Sequence, residues 1–240
     1  MRLSGKTVLV TGGTDGIGAQ LIRQLRDKGA NVIASGRNPE RIAATRADGF
    51  EVIEADLATS AGVEALLAGL GDRPIDALVN NAGVGTAYDF RAGEVDLAGA
   101  ETTYNLNLHA PTQLIARLLP VLKSRGEAMI VNVTSGLAIA PNAGSPVYCA
   151  SKAGLRSYTL AIRAQLKGTG IKVVEALPPL VDTQMTAGRG SNKMSAAECA
   201  RQIVSGMESG KETINVGMVK ILQLVHSISP ALARSIMIRF

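Results

Sequence analysis

KTVLVTGGTDGIG, residues 6–18, joins a strand pattern, a glycine-rich turn and the start of a helix. Lys6 to Val10 is a short apolar, β-branched run of the kind that forms a buried strand. Thr11, Gly12, Gly13, Thr14, Asp15, Gly16, Ile17 and Gly18 follow directly, and Leu21, Ile22 and Leu25 then recur at helical spacing between Ala19 and Lys28. Strand, glycine turn and helix in that order gather backbone N–H groups and a helix N-terminus at one point, the cradle that an anionic pyrophosphate requires. The glycines stand at 12, 16 and 18 rather than in the commoner G-x-G-x-x-G spacing. Their role would be the same: close approach of backbone to phosphate and of helix to strand.

Asn31 to Ser35 reads as a second strand and ends in Gly36-Arg37-Asn38. A carboxylate at that distance from the glycines would accept hydrogen bonds from an adenosine ribose, whereas an Arg would pair with a 2′-phosphate. The acid is missing and the cation is present, so NADP(H) is favoured and NAD(H) is second. Asp15 would oppose a phosphate if it pointed inward. Glu51 to Ala55 is a third strand ending in Asp56 and Leu57, where Asp56 is placed either to read an adenine amino group or simply to make a turn. Ile75 to Val79 is a fourth, closed by Asn80-Asn81-Ala82-Gly83, small and amide residues suited to a strand end that passes close to a ligand. Strands alternating with helices at this interval predict an α/β, Rossmann-type doubly wound parallel sheet of about seven strands, helices on both faces, with ligands at the strands' carboxyl ends.

The second half supplies chemistry. Leu97 to Lys123 reads as one long helix carrying Asn105 and Asn107, and His109 suits a surface position as well as a substrate contact. IVNVTSGLAIAPNAGSPVYCASKAG, residues 130–154, is a buried strand broken at Thr134 and Ser135, a Gly/Pro/Asn loop, and a helix from near Pro146. That helix puts Tyr148 and Lys152 on one face. A phenol of pKa ~10 is a poor acid or base at neutral pH, and a neighbouring ammonium would lower it. Tyr148 would then serve as general acid or base, with the Ser135 hydroxyl offered to the same substrate oxygen. Ile171 to Leu177 is a sixth strand, stopped by Pro178 and Pro179.

With 240 residues and 46% hydrophobic content, the chain fits one domain over residues 1–240. No signal peptide or membrane-spanning apolar run is read, and Cys149 and Cys199 have no metal-like spacing, so a reduced cytoplasm and no metal are expected. A net charge of +5 raises nucleic acid as a partner, but the cations are scattered and aromatics are only 3%, so it is set aside.

Taken together, Thr11-Gly12-x-x-x-Gly16-Ile17-Gly18, Asp56, Asn80-Asn81-Ala82-Gly83, Asn107, Ser135, Tyr148-x-x-x-Lys152 and the segment from Pro178 to Thr183 resemble the classical short-chain dehydrogenase/reductase family. The resemblance implies a hydride transfer between a nicotinamide and a small carbonyl or secondary alcohol. It implies Tyr148 as acid/base, Ser135 polarising the carbonyl, Lys152 lowering the tyrosine pKa and binding the nicotinamide ribose, and Asn107 holding a water in a proton relay. Asn107 is chosen over Asn105, and Ser135 over Thr134, because their surroundings match the family pattern. For the cofactor it implies Thr11, Gly12, Thr14, Asp15, Gly16, Ile17, Gly18, Arg37, Asp56, Leu57, Asn81, Ala82, Gly83, Tyr148, Lys152, Pro178, Val181 and Thr183. It also implies a homodimer or homotetramer paired through the two long helices. A nucleotide-binding regulator or scaffold that keeps the fold without turnover is the alternative.

Two departures stand out. Pro179 replaces the glycine usual after the sixth strand, removing a backbone donor from the nicotinamide pocket. The string Leu177-Pro178-Pro179-Leu180-Val181-Asp182-Thr183 is similar to a DltE-like subgroup of the family. The second departure is an apolar helical tail, residues 217–240, beyond a seventh strand at Thr213 to Val216. Ile221, Leu222, Leu224, Val225 and Ile228 make its apolar face, Pro230 interrupts it, and Arg234 and Arg239 follow. The tail is expected to dock on its own domain or on a sister subunit, with a membrane surface as the other possibility. Residues 184–200, small, polar and glycine-bearing, are read as a mobile substrate lid.

Overall fold

Val8, Leu9 and Val10 have no exposed surface, because an unalternating apolar run folds as a strand only where both faces of its sheet are covered. A computed structural model describes residues 1–86, 89–91, 95–188 and 190–239. In it the run is strand β1 (Thr7–Val10), at the middle of a wholly parallel sheet with β2 (Asn31–Gly36), β3 (Glu51–Glu54), β4 (Ala77–Asn80), β5 (Ala128–Val133), β6 (Ile171–Leu177) and a last strand (Thr213–Asn215). Two short strands, β7 (Val181–Asp182) and β8 (Met194–Ser195), pair with each other beside it, so the last strand is β9. The order is β3-β2-β1-β4-β5-β6-β9, the doubly wound arrangement the sequence predicts, and it reverses between β1 and β4.

Each face of the sheet has its own core. On one side Val8 and Val10 meet helix α1 (Gly16–Asp27) through Leu21, Ile22 and Leu25, α2 (Pro39–Ala47) through Ile42, and, further along, α7 (Ala196–Glu208) through Ile203 and Val204. On the other, Leu9 and Leu78 meet α3 (Ser60–Leu70), α5 (Ala110–Lys123) and α6 (Pro146–Gln165) through Val63, Leu66, Leu114, Leu118 and Ile162. The long helix predicted from Leu97 to Lys123 is helical throughout, but it is built as α4 (Leu97–Tyr104), a π-helical turn (Asn105–His109) and α5. Single-turn π segments often mark functional positions, and this one carries Asn107.

Two boundaries differ from expectation. The lid reading ran to residue 200, yet Cys199 and Ala200 are fully buried in α7, so the loop ends at β8. Its start is tethered too, since Thr186 Oγ1 donates to Val181 O at 2.5 Å and Lys193 Nζ to Thr186 O at 2.5 Å. Arg189 lies outside the described residues. In the tail, Pro230 does not end the helical structure but starts a new helix at its first position, giving α8 (Val219–Ile228) and α9 (Pro230–Met237). No helix among the described residues is long and apolar enough to cross a membrane.

Asp76, at the N-terminal end of β4, is 2% exposed. It accepts from Thr7 N at 2.8 Å and Arg125 Nε at 3.0 Å, with Lys6 Nζ at 3.5 Å. Burial acts to raise its pKa, but these partners outweigh burial and hold the carboxyl below its ordinary value. A depressed carboxylate stabilises the fold above its unfolded pKa and loses that contribution as pH falls through the folded one. Asp76→Asn is therefore expected to cost about 1–3 kcal/mol and lower the melting temperature by roughly 2–10 °C at neutral pH. The deficit should shrink in acid below the ordinary aspartate range. Calorimetry at neutral and acid pH checks it, and an equal deficit at both would remove the charge from the explanation.

Candidate active site

The sheet order reverses at the carboxyl ends of β1 and β4, and those ends are laced together there. Thr11 Oγ1 accepts from Asn81 N and from Ala82 N, each at 3.0 Å. Asn81 Nδ2 returns hydrogen bonds to Thr11 O at 3.0 Å and Gly12 O at 3.2 Å. Gly12 sits at φ +63°, and a Cβ there would lie 2.9 Å from Ala82 Cα. At Gly18 a Cβ would fall 2.0 Å from Gly12 O. Neither position admits a side chain without moving backbone, so the turn is a cradle held open by glycine.

Above this cradle runs a cleft of about 300 Å³. Of the residues the resemblance assigned, it is lined by Gly12, Thr14, Asp15, Gly16, Ile17, Arg37, Asp56, Leu57, Asn81, Ala82, Gly83, Ser135, Tyr148, Lys152, Pro178, Val181 and Thr183. Thr11, Gly18 and Asn107 do not line it. Thr11 is buried and braces the two strand ends, Gly18 lets α1 pass the Gly12 carbonyl, and Asn107 is fully buried behind Val84. Residues from six strand ends, far apart in sequence, thus meet at one edge of the sheet.

Beyond the ends of β2 and β3, the charged side chains that line the cleft pair with one another. Arg37 Nη1 donates to Asp56 Oδ1 and Oδ2 at 3.2 and 3.3 Å, so cation and acid neutralise each other across the cleft mouth. Asp15 does not oppose an incoming phosphate as a lone charge. It caps α1 by accepting from Gly16 N at 2.8 Å, and its other oxygen pairs with Arg41 Nη1 at 2.8 Å. Arg41 also donates to Gln184 Oε1 and lines the cleft, a second cation that the sequence reading missed. Its signal was present in Asn38-Pro39: an N-cap followed by proline at the first helical position starts α2 there and turns Arg41 back toward the end of β2. Ser35 Oγ, also on this wall, is buried and has no hydrogen-bond partner among the described residues.

At the other end, α6 starts at Pro146 because proline suits the first helical position, which puts Tyr148 in its first turn and Lys152 one turn on. Lys152 is 4% exposed, and its Nζ donates to Val133 O at 2.8 Å. Burial pulls its pKa down to about 8. Nζ stands 5.9 Å from the centroid of the Tyr148 ring. The Tyr148 phenol is pushed up, chiefly by burial, against a hydrogen bond with Ser135 that lowers it. In this arrangement burial dominates the phenol, and the Lys152 ammonium is turned to the Val133 carbonyl. Ser135 Oγ also accepts from Leu137 N at 3.1 Å, fixing the hydroxyl at the end of β5.

Asn107 is committed to protein partners. Its Oδ1 accepts from Val84 N at 2.9 Å, and its Nδ2 donates to Val84 O at 2.8 Å and Ser151 Oγ at 3.0 Å. Both amide protons are used, so the side chain clamps the strand-end loop against α6. His109 Nδ1 pairs with Asn105 Oδ1 at 3.1 Å on the exposed side of the helix and does not line the cleft. Pro179 does line it, and Gly136 N donates to Pro178 O at 2.9 Å, tying the proline pair to the loop after Ser135. Cys149 is a packed thiol, raised in pKa by burial.

A sequence model of the short chain dehydrogenase family matches residues 6–194. The uncharacterized oxidoreductase DltE of Bacillus subtilis is 38% identical over 224 residues, 89% of each chain. A short-chain dehydrogenase from Sphingobium yanoikuyae in complex with NADPH superposes with a TM-score of 0.83 at 26% identity, over 95% of this chain and 94% of that one. One from Burkholderia cenocepacia, in complex with NADP, superposes at 0.87 over 99% of both chains, and at 24% identity that likeness speaks to the fold alone.

Proposed function

The chain belongs to the short-chain dehydrogenase family, and from that premise we propose that it is an NADP(H)-dependent oxidoreductase acting on a carbonyl or secondary alcohol. One observation carries the reading: Ser135, Tyr148 and Lys152 stand on the wall of the same cleft that the glycine turn and the two arginines line. The cleft fits a dinucleotide. The glycine cradle is one that any Cβ would fill, Ser35 offers a buried hydroxyl with no partner among the described residues, and Arg37 and Arg41 supply cations where a 2′-phosphate would lie. The NADPH complex of the Sphingobium relative supports the phosphorylated form, with NAD(H) second.

A nicotinamide held there supplies or accepts the hydride. The remaining work falls to this chain's own groups. Ser135 Oγ and the Tyr148 hydroxyl would donate to the substrate oxygen as negative charge develops on it, and Tyr148 would pass its proton to that oxygen in reduction or take it back in oxidation. A phenol raised by burial stays protonated at neutral pH, so reduction finds its acid ready, while oxidation should quicken as pH rises. Lys152 carries its charge below about 8. If it releases the Val133 carbonyl it can bind a ribose hydroxyl and stabilise the phenolate. Thr11, Gly18 and Asn107 act by positioning the cradle and the loop after β4.

The assignment is tested by titration with NADPH and NADH, followed by a screen of ketones and alcohols for NADP-linked turnover. Binding without any turnover would favour the regulator or scaffold reading. Binding of neither nucleotide would overturn both.

A further inference from the structure

Exposed apolar side chains concentrate on the tail hairpin. On α8, Ile221, Leu224 and Ile228 are 53%, 60% and 78% exposed, and Met218 just ahead of it is 68% exposed. Positions 220, 221, 224, 227 and 228 recur at helical spacing, so they form one outward stripe. Val219, on the opposite side, is buried and packs where Gly136 leaves room for it. On α9, Leu232 and Ile236 are exposed while Ala233 is buried, and Ile238 O accepts from Ala143 N at 3.3 Å. Docking on the domain therefore accounts for one face of the hairpin and leaves the other bare. Exposed apolar patches of more than a few hundred Å² are uncommon on soluble monomers and mark contact sites.

Charge selects the occupant. No acidic residue stands between Thr213 and Phe240, and Lys220, Arg234 and Arg239 contribute +3 of the chain's +5. Arg239 borders a shallow groove with Leu232, Ser235 and Ile236, so cation and apolar side chains share one surface. A second copy seated here about a twofold axis would bring together two surfaces that both carry cations and no Asp or Glu. An anionic bilayer suits both features: the stripe enters the headgroup boundary and the cations meet lipid phosphates.

We propose that α8 and α9 form an interfacial docking element that lies in the headgroup layer of an anionic membrane. This is independent of the oxidoreductase reading. The test uses the full chain with vesicles of phosphatidylcholine alone or with equal phosphatidylglycerol, at physiological salt. The chain should pellet with the anionic vesicles and stay in solution with the neutral ones. Lys220 already acts on Glu198 of α7, so the charge variant is Arg234→Gln with Arg239→Gln. At about fivefold per cation it should bind about 30-fold more weakly. Leu224→Ser with Ile228→Ser should abolish pelleting, with far-UV circular dichroism and melting temperature confirming an intact fold. No pelleting by the parent chain, or pelleting unchanged by either pair, overturns the proposal. So does an oligomer, measured by sedimentation, that Leu224→Ser with Ile228→Ser dissociates while lipid binding is absent, since that gives the face to a second copy.

Discussion

Tyr148→Phe is expected to lower turnover by about 10²–10⁴ while leaving NADPH affinity nearly unchanged, because it removes one hydroxyl and keeps the ring. The ring's place in the first turn of α6 is set by Pro146 and by packing, neither of which the substitution touches. What goes is the proton donor and its hydrogen bond with Ser135. Steady-state kinetics on the best carbonyl from the screen, alongside a fluorescence titration with NADPH, separates the two quantities. Turnover unchanged in the variant would remove Tyr148 from its role. The pH profile adds a second check. Since burial raises the phenol, wild-type reduction should hold its rate through neutral pH, and oxidation should climb with pH toward the alkaline side. A profile that is flat in both directions would place the proton elsewhere.

The fold was legible because its signals are local and repeated. Each strand is a short apolar run closed by a turn residue, and period alone separates it from the helix that follows. The cleft was legible for a related reason: in a parallel sheet every strand's carboxyl end arrives at the same edge, so Asn81, Ser135 and Asp56 had to lie along one edge, where a single cleft takes in all three. What spacing does not encode is the direction of a side chain's hydrogen bonds. Thr11 and Gly18 sit in the motif but serve the strands behind it. Asn107 lies in the right turn, yet its amide is used by Val84 and Ser151. Lys152 is one turn from Tyr148, yet its ammonium reaches the Val133 carbonyl because a buried cation takes the nearest acceptor. Nor did the sequence betray Glu175, a fully buried carboxylate in β6 whose partners, Arg156 at 2.7 Å and Thr134 at 2.8 Å, come from α6 and the end of β5. Such pairs are set by tertiary contact and have no sequence period.

Arg37→Asp is expected to turn the preference from NADPH toward NADH, and the ion pairs around it say by how much. Arg37 and Asp56 are about half-exposed, 54% and 43%, and an exposed pair of this kind is worth only about 0–1 kcal/mol. The guanidinium can therefore leave Asp56 for a 2′-phosphate at little cost, and a hydrogen bond to such a charged group is worth about 1.5–3 kcal/mol. Its loss should weaken NADPH binding by about 10- to 150-fold. The new carboxylate would stand beside Asp56, repelling phosphate and offering an acceptor to the plain ribose of NADH. Arg41 limits the reversal. Its pairing with Asp15 at 2.8 Å keeps a second cation on the same wall, so residual NADPH affinity should persist until Arg41→Ala is added to Arg37→Asp. Fluorescence titrations of the wild type, the single and the double variant with both nucleotides give the comparison. A wild type that holds NADPH and NADH equally would show that neither arginine reads the phosphate, and a double variant no weaker toward NADPH than the single would remove Arg41 from that role.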